Sequence, residues 1–147
     1  MEKIEKVKSL IRANSDWVNH LQNISNTDVL KILQTTDVGL LPTWSDSFGY
    51  SILEMQASGV PVITTDVRAI PEINNNDCGW MINLKKNIYG ELLNYKSEQA
   101  QISESIKKQF KSIIKDIILN EQLIAEKSKK SLERIINYHD PVTHSMA

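Results

Sequence analysis

The sequence predicts an α/β protein with a parallel sheet of about four strands, crossover helices between the strands and two helices after them. Short apolar runs alternate with helix-like segments of about ten residues, which is typical of parallel strands joined by crossover helices. The chain has 147 residues and 41% of them are apolar, which is enough for one domain with a hydrophobic core. We therefore expect residues 1–147 to form a single domain around a partial Rossmann-like sheet.

Three segments in the first part of the chain have helical patterns. Residues 2–14 repeat apolar side chains at helical spacing. A second helix is predicted to begin with Ser25 or Asn26 as its cap, because both side chains can accept a hydrogen bond from a free amide of the first turn. Its predicted inner face consists of Val29, Leu30, Ile32 and Leu33. A third helix is predicted over residues 49–58 and ends at Gly59, a residue type that favours helix C-termini.

Four apolar runs predict the strands. They are WVNHL at 17–21, VGLLP at 38–42, VPVITT at 60–65 and GWMINL at 79–84. In parallel sheets, ligands bind outside the carboxyl ends of the strands. Three loops are therefore candidates for a ligand site, namely residues 22–26, 43–48 and 65–72.

Residues 97–138 predict two helices that meet near residues 119–122. One apolar stripe of the first helix consists of Ile106, Phe110, Ile113, Ile114, Ile117 and Ile118, with lysines elsewhere on the turn. A basic amphipathic helix is able to lie on a membrane surface. The favoured interpretation is a helix packed on the domain with a solvated lysine face.

Composition excludes several classes of function. The net charge of −1 gives no general attraction to nucleic acid. The single cysteine, Cys78, excludes a disulfide within the chain and a cysteine-based zinc site. No apolar run reaches the ~18 residues of a membrane span, and the charged N-terminus is no signal peptide. These features favour a cytoplasmic protein without a metal ion.

Most of the candidate ligand-binding residues lie in residues 42–61, PTWSDSFGYSILEMQASGVP. A helix that begins near Gly49 leaves the amides of Gly49, Tyr50 and Ser51 without intrahelical partners, and phosphate binds readily there. The lack of a side chain at Gly49 is expected to let a bulky anion approach the backbone. Glu54 lies ~7–8 Å further along the helix axis, about the distance from a pyrophosphate to a ribose. Asp46 precedes the helix and is placed to bind a sugar beyond the phosphates.

Each of these residues also has a plain structural interpretation. Asp46 or Ser47 is a possible helix N-cap, and Glu54 a possible exposed surface residue. Three further residues of these loops have two interpretations each. Arg68 binds a phosphate or, as we favour, pairs with Asp66 or Glu72; Trp44 lines a sugar or acceptor pocket or packs internally; Glu72 caps a short helix, which we favour, or contacts ligand.

A set of residues at fixed spacing over residues 37–84 resembles the C-terminal domain of GT-B glycosyltransferases, specifically the large retaining group called family four. Those enzymes carry two glutamates around a Phe-Gly pair, followed by a Gly-x-Pro-Val-Val strand and a Gly-Gly-x-x-Glu loop. The residues in register are Asp46, Phe48, Gly49, Glu54, Ala57, Gly59, Pro61, Val62, Thr65, Glu72 and Gly79. The segment before them extends the resemblance to about residue 23, so the core motif region is 23–84.

The resemblance implies a donor site for a nucleotide-sugar of the UDP or GDP type. It implies that Glu54 binds the ribose, that Asp46 contacts the transferred sugar near the reacting centre, and that the backbone from Ser47 and Phe48 through Gly49, Tyr50 and Ser51 holds the diphosphate. The reaction would transfer the sugar to an acceptor hydroxyl with retention of configuration, without a metal or other cofactor. The acceptor, which is a saccharide, a lipid-linked glycan or a protein, stays open.

Three departures from the family pattern affect these expectations. Asp46 replaces a glutamate, and Arg68-Ala69 replaces the Gly-Gly pair. The strand whose Gly-Arg and following lysine grip the diphosphate does not precede residues 17–21. We therefore expect an incomplete C-terminal donor-binding domain of a longer enzyme, inactive alone, with open sheet edges that allow self-association. The longer enzyme is expected in the cytoplasm or peripherally at a membrane.

Two alternatives come from other classes of protein. A non-catalytic nucleotide- or sugar-binding module would keep the fold and lose the reaction. A helical interaction protein would depend chiefly on residues 97–138. Binding of a nucleoside diphosphate is expected of the glycosyltransferase and of the binding module, but not of the helical interaction protein.

Overall fold

A three-stranded parallel sheet forms the centre of the computed structural model, which describes residues 2–93 and 96–139. The strands are β1 (Gly39–Leu41), β2 (Val62–Thr65) and β3 (Trp80–Ile82), in the order β1-β2-β3. Helix α3 (Tyr50–Ala57) connects β1 to β2, and the short helix α4 (Ile70–Ile73) connects β2 to β3. The predicted α/β fold with crossover helices is confirmed, as are the three strands near 38–42, 60–65 and 79–84.

The predicted strand at residues 17–21 is wrong. This segment forms a turn after the first helix and then an irregular stretch, with Trp17 72% exposed. The carbonyl of Asn14 accepts hydrogen bonds from the amides of Trp17 (3.2 Å) and Val18 (2.8 Å), so these two amides are committed to the turn. The apolar residues of this segment therefore do not form a strand, and the sheet has three strands within the described residues.

Two helices precede the sheet where the sequence places them. They are α1 (Glu2–Ala13) and α2 (Asn26–Leu33), and Ser25 caps α2 by accepting a hydrogen bond from the amide of Asp28 at 3.2 Å. The predicted inner face of α2 is only partly correct, because Leu33 is buried whereas Leu30 and Ile32 are exposed. The apolar side chains of α1 are exposed as well, so periodicity identified these helices but not the surface that they cover.

The core consists of one apolar cluster on each side of the sheet. Helices α3 and α4 cover one side, where the buried residues are Ile52, Val62, Val67, Ile70 and Ile73. Helix α5 (Gln99–Leu119) and the start of α6 (Gln122–Tyr138) cover the other, where the buried residues are Ile63, Trp80, Ile82 and Ile117. Helix α6 also packs against α3. The two predicted C-terminal helices and their junction are confirmed. Ile118 departs from the predicted stripe, because its side chain is 69% exposed.

Helix α6 holds the connection between α4 and β3 through polar contacts with its backbone. Ser131 donates a hydrogen bond to the carbonyl of Cys78 at 2.7 Å, and Arg134 donates one to the carbonyl of Ile73 at 3.0 Å. The ammonium group of Lys127 lies 5.1 Å from the centre of the Trp80 ring, and burial there lowers the pKa of Lys127. These contacts fix the connection between α4 and β3.

The outer edge of β1 has no strand beside it within the described residues, and Leu40 on this strand is 49% exposed. An open edge presents unpaired backbone groups that can pair with another chain. Self-association through this edge stays a prediction, and sedimentation velocity over a range of concentrations tests it. Among the described residues, no helix combines the length and apolar character that a bilayer span requires.

Candidate functional site

Three loops meet at the carboxyl edge of the sheet because its strands are parallel. They are residues 42–49 after β1, 66–69 after β2 and 83–92 after β3. The hydroxyl group of Thr65 donates a hydrogen bond to the carbonyl of Thr43, which connects the first two loops. The predicted loop 22–26 follows no strand, so the loop after β3 replaces it at this edge.

Asp46 is fixed by the backbone that follows it. Its Oδ1 atom accepts hydrogen bonds from the amide of Phe48 at 3.0 Å and from the amide of Gly49 at 2.7 Å. Its Oδ2 atom accepts none within the described part of the chain. Asp46 therefore closes the turn that leads into α3 with one oxygen and leaves the second oxygen available to a ligand. The interpretation of Asp46 or Ser47 as the helix N-cap is wrong, because the cap position is Gly49 and no side chain caps it.

The amides at the start of α3 fall into two groups. Those of Phe48 and Gly49 are occupied by Asp46, whereas those of Tyr50 and Ser51 donate no hydrogen bond to any described residue. Tyr50 and Ser51 are exposed. The predicted diphosphate-binding stretch thus narrows to two free amides at the positive end of the helix dipole.

Gly49 has a different role from the predicted one. Its φ of 74° lies in the left-handed region, and a Cβ atom would come within 2.6 Å of Cδ1 of Ile73 and 3.1 Å of Cδ1 of Ile52. The side where a side chain would stand faces the core. The expectation that glycine is needed for the close approach of an anion is therefore wrong; backbone conformation and core packing require it.

Glu54 lies in the second turn of α3 and is exposed. Its carboxylate forms no hydrogen bond or ion pair with the described residues. Ser47 is likewise exposed, and its hydroxyl has no partner among them. The rings of Phe48 and Tyr50 lie 4.8 Å apart beside the helix start, 42% and 72% exposed. The site therefore presents two carboxylate groups, two free amides and two exposed aromatic rings.

Arg68 forms an ion pair, but with a partner that the sequence did not indicate. Its guanidinium lies 2.8 Å from Glu91, and its amide donates to the carbonyl of Gly90 at 2.8 Å. Asp66 instead accepts a hydrogen bond from the amide of Leu84 at 2.9 Å and pairs with Lys86. The expected pairing of Arg68 with Asp66 or Glu72 is therefore wrong.

Glu72 does not cap α4. The cap position of this helix is Ala69, without a side-chain hydrogen bond, and Glu72 lies inside the first turn with an exposed side chain. The favoured interpretation of Glu72 as a cap is thus wrong, whereas a contact with ligand stays a prediction.

Trp44 and Arg68 line a cavity of about 190 Å³ between the first two loops, together with Ser45, Glu91 and Leu92. Trp44 is partly buried there, in the same loop as Asp46. Whether it contacts a ligand stays a prediction.

Sequence reasoning missed the loop after β3. The side chain of Asn87 accepts hydrogen bonds from the amides of Tyr89 at 2.9 Å and Glu91 at 3.0 Å, which closes a turn at Gly90. An asparagine three residues before a glycine is a turn signal, so the stretch NIYGE could have identified the turn. The pairing of Glu91 with Arg68 has no local signal, because the two residues lie 23 positions apart.

Comparisons of the sequence with known proteins identify the family. The model of the family described as glycosyl transferases group 1 matches residues 2–93. The chain is 38% identical over 63 residues to a D-inositol 3-phosphate glycosyltransferase of Arthrobacter sp. (strain FB24). It is 35% identical over 57 residues to a protein of the same name from Mycobacterium marinum (strain ATCC BAA-535 / M). These alignments cover 42% and 39% of this chain, but 15% and 12% of the two relatives.

Removal of the Asp46 carboxylate should destabilise the fold even without any ligand. Asp46→Ala leaves the amides of Phe48 and Gly49, just before α3, without an acceptor, and the loss of such hydrogen bonds costs about 1 kcal/mol. Asp46→Asn retains an acceptor and should cost less. Urea unfolding measures the difference, with Ser47→Ala as the matched control, expected within about 0.5 kcal/mol of the native protein. Equal effects of the two alanine substitutions would contradict a stabilising role for the hydrogen bonds of Asp46.

Gly49→Ala should be more destabilising than Gly59→Ala. Both glycines have a positive φ, 74° and 75°, so both substitutions carry the left-handed penalty of about 1–2 kcal/mol. Only at position 49 does the new methyl group meet the core; at position 59 the nearest atom is the Ser128 hydroxyl oxygen at 3.3 Å. Overpacking adds about 1–3 kcal/mol at position 49. Denaturant unfolding of the two variants measures this, and similar losses would contradict the packing argument.

Proposed function

The chain belongs to the family of glycosyl transferases group 1, and on that premise we propose that it forms the donor-binding part of a retaining GT-B glycosyltransferase. The observation that carries the proposal is the start of α3, where the free amides of Tyr50 and Ser51, the free Oδ2 of Asp46 and the unpaired carboxylate of Glu54 lie close together in sequence. The donor is a UDP- or GDP-sugar. Since the chain spans a small part of the relatives that it matches, the reaction of the whole protein is part of the proposal.

The diphosphate occupies the helix start. The amides of Tyr50 and Ser51 point out of the first turn, and the helix dipole adds partial positive charge there. When the bond between the sugar and the diphosphate breaks, negative charge grows on the leaving phosphate. Fixed amide dipoles stabilise that charge without reorganisation, which lowers the barrier to transfer.

The two carboxylates bind the two ends of the donor. Glu54 lies four residues after Tyr50, ~6 Å along the axis from the helix start, and accepts hydrogen bonds from the ribose hydroxyls. Asp46 lies on the other side of the diphosphate and contacts the transferred sugar through Oδ2. Because Oδ1 is held by two amides, the direction of Oδ2 is fixed before the ligand arrives, which lowers the entropy lost on binding.

The acceptor stays open between a saccharide, a lipid-linked glycan and a protein. The two relatives are named for D-inositol 3-phosphate, and that name supports a small polyol phosphate as one candidate acceptor for this chain. We propose no metal or other cofactor, no nucleic acid partner, and a cytoplasmic protein, with peripheral membrane attachment of the whole enzyme as an open part of the proposal.

A non-catalytic nucleotide- or sugar-binding module is the second candidate. A specific observation favours it: Arg68 and Lys86, two of the cations on the loops of the site, are each paired with a carboxylate, Glu91 and Asp66 respectively. The positive charges of Arg68 and Lys86 are therefore balanced before any diphosphate binds. This weakens the electrostatic stabilisation that they give to the negative charge on the leaving phosphate.

Nucleoside diphosphate affinity tests the binding proposal. Glu54→Gln removes the charged acceptor for the ribose, and the loss of such a hydrogen bond lowers affinity about tenfold or more. Calorimetric titration with UDP and with GDP measures it. Glu126→Gln, an exposed carboxylate on α6, is the matched control and should change nothing. Absence of binding of both nucleotides, or equal affinity of the Glu54→Gln variant, would contradict the proposal.

Sugar transfer by the whole protein separates the enzyme from the binding module. Asp46→Asn should lower the rate of transfer or donor hydrolysis by about a hundredfold or more, since an interaction with the reacting sugar acts chiefly in the transition state. UDP or GDP affinity should change little, because the helix amides remain. A native protein that binds donor but never consumes it would favour the binding module.

A further inference from the structure

We propose that the cavity between the loops after β1 and β2 binds a single neutral sugar ring, with Arg68 and Glu91 as its hydrogen-bonding groups and Trp44 as its apolar wall. The proposal rests on the proposed function, since it assigns a sugar subsite next to the donor site. Its residues, Trp44, Ser45, Arg68, Glu91 and Leu92, come from all three loops of the edge.

The charges of the cavity are balanced. The guanidinium group of Arg68 lies 2.8 Å from Glu91, and the two side chains are 46% and 47% exposed. A guanidinium has five N–H donors and a carboxylate about four acceptor positions, so a single contact between them leaves most of these free. A hydroxyl group of a ligand both donates and accepts hydrogen bonds. It can donate to the carboxylate of Glu91 and accept from the guanidinium of Arg68. The cavity therefore suits a ligand rich in hydroxyl groups rather than an anion.

The pair is held rigidly before any ligand binds. Arg68 has a φ of 47°, which non-glycine residues adopt rarely, and its amide is fixed by the carbonyl of Gly90 at 2.8 Å. A Cβ atom on Gly90 would lie 2.9 Å from the amide nitrogen of Arg68, so only glycine permits this contact. Asn87 donates a hydrogen bond to the second carboxylate oxygen of Glu91 at 3.2 Å. Ligand-binding groups fixed in this way lose little conformational entropy on binding.

The size and walls of the cavity favour one ring. Its volume of about 190 Å³ is below the roughly 300–1,000 Å³ of sites for larger ligands, so it does not admit a whole nucleotide. The indole of Trp44 and the side chain of Leu92 supply apolar surface, on which the C–H face of a pyranose can pack. Ser45, which lines the cavity, directly precedes Asp46 in the chain. A ring bound there therefore lies beside the carboxylate that is proposed to act at the transferred sugar.

Two variants test the subsite through a comparison of ligands. Calorimetry measures the affinity of UDP, UDP-glucose, GDP and GDP-mannose, and NMR follows the indole N–H signal of Trp44 during titration with methyl glycosides of glucose and mannose. Arg68→Lys and Trp44→Leu should weaken a ligand that carries the sugar about tenfold and leave the nucleoside diphosphate within about twofold. Arg12→Lys on α1 and Tyr89→Leu, an exposed aromatic residue, are the matched controls. Thermal unfolding of each variant verifies the fold.

The outcomes separate this inference from the proposed function. Selective weakening of a nucleotide-sugar assigns the cavity to the transferred sugar, and selective weakening of a methyl glycoside assigns it to an acceptor sugar; both support the subsite. Nucleoside diphosphate binding with no effect of either variant on any sugar overturns the subsite and leaves the proposed function standing. If no nucleotide binds, the proposed function fails, and the indole titration still decides the subsite: no shift with either glycoside overturns it.

Discussion

The site depends on the hydrogen bonds from the amides of Phe48 and Gly49 to the carboxylate of Asp46. These bonds end the irregular loop and start α3. They require Gly49 in a left-handed conformation, with its backbone against Ile73. The core on this side of the sheet thus fixes the point where the helix begins, and that point determines which amides stay free. The geometry of the polar site therefore depends on the packing of the apolar core.

The loops beyond β2 are held by a second set of contacts, which adds ion pairs and hydrogen bonds to the apolar contacts of Val67 and Ile70. Lys86 pairs with Asp66, Glu91 pairs with Arg68, and Arg134 on α6 donates hydrogen bonds to the carbonyls of Glu72 and Ile73. Partly exposed pairs of this kind contribute little to stability. Their effect is geometric, because they orient the side chains that face the first loop. The edge of the sheet is therefore preorganised, although Arg68 and Lys86 are each neutralised by a carboxylate.

Local sequence patterns predicted most of the fold. The strands at 38–42, 60–65 and 79–84, the start of α3 and the two C-terminal helices follow from apolar runs, glycine positions and helical periodicity. The failure at residues 17–21 has a physical cause, since an apolar run becomes a strand only where another strand pairs with it. Periodicity likewise gave α1 and α2 an apolar face, but it carries no information about what that face covers.

The parts of the site that depend on residues close in sequence could be predicted, whereas the parts that depend on tertiary contacts could not. Asp46 and the start of α3 lie within a few residues of each other. The residue types that favour turns and helix starts therefore identified them. The role of Gly49 in core packing and the pairing of Arg68 with Glu91 depend on side chains distant in sequence. Pairing choices of this kind are decided by the arrangement of loops, which no short stretch specifies.

The central claim is that a nucleoside diphosphate binds at the free amides of α3 while Asp46 keeps its hydrogen bonds to the amides of Phe48 and Gly49. Amide chemical shifts of the ¹⁵N-labelled protein during titration with UDP or GDP test it directly. The largest shifts should fall on Tyr50 and Ser51, with smaller shifts on Phe48 and Gly49, whose amides stay bonded to Asp46. Dominant shifts on Phe48 and Gly49 would mean that the ligand displaces Asp46, and shifts confined to residues outside α3 would place the nucleotide elsewhere; either result contradicts the account.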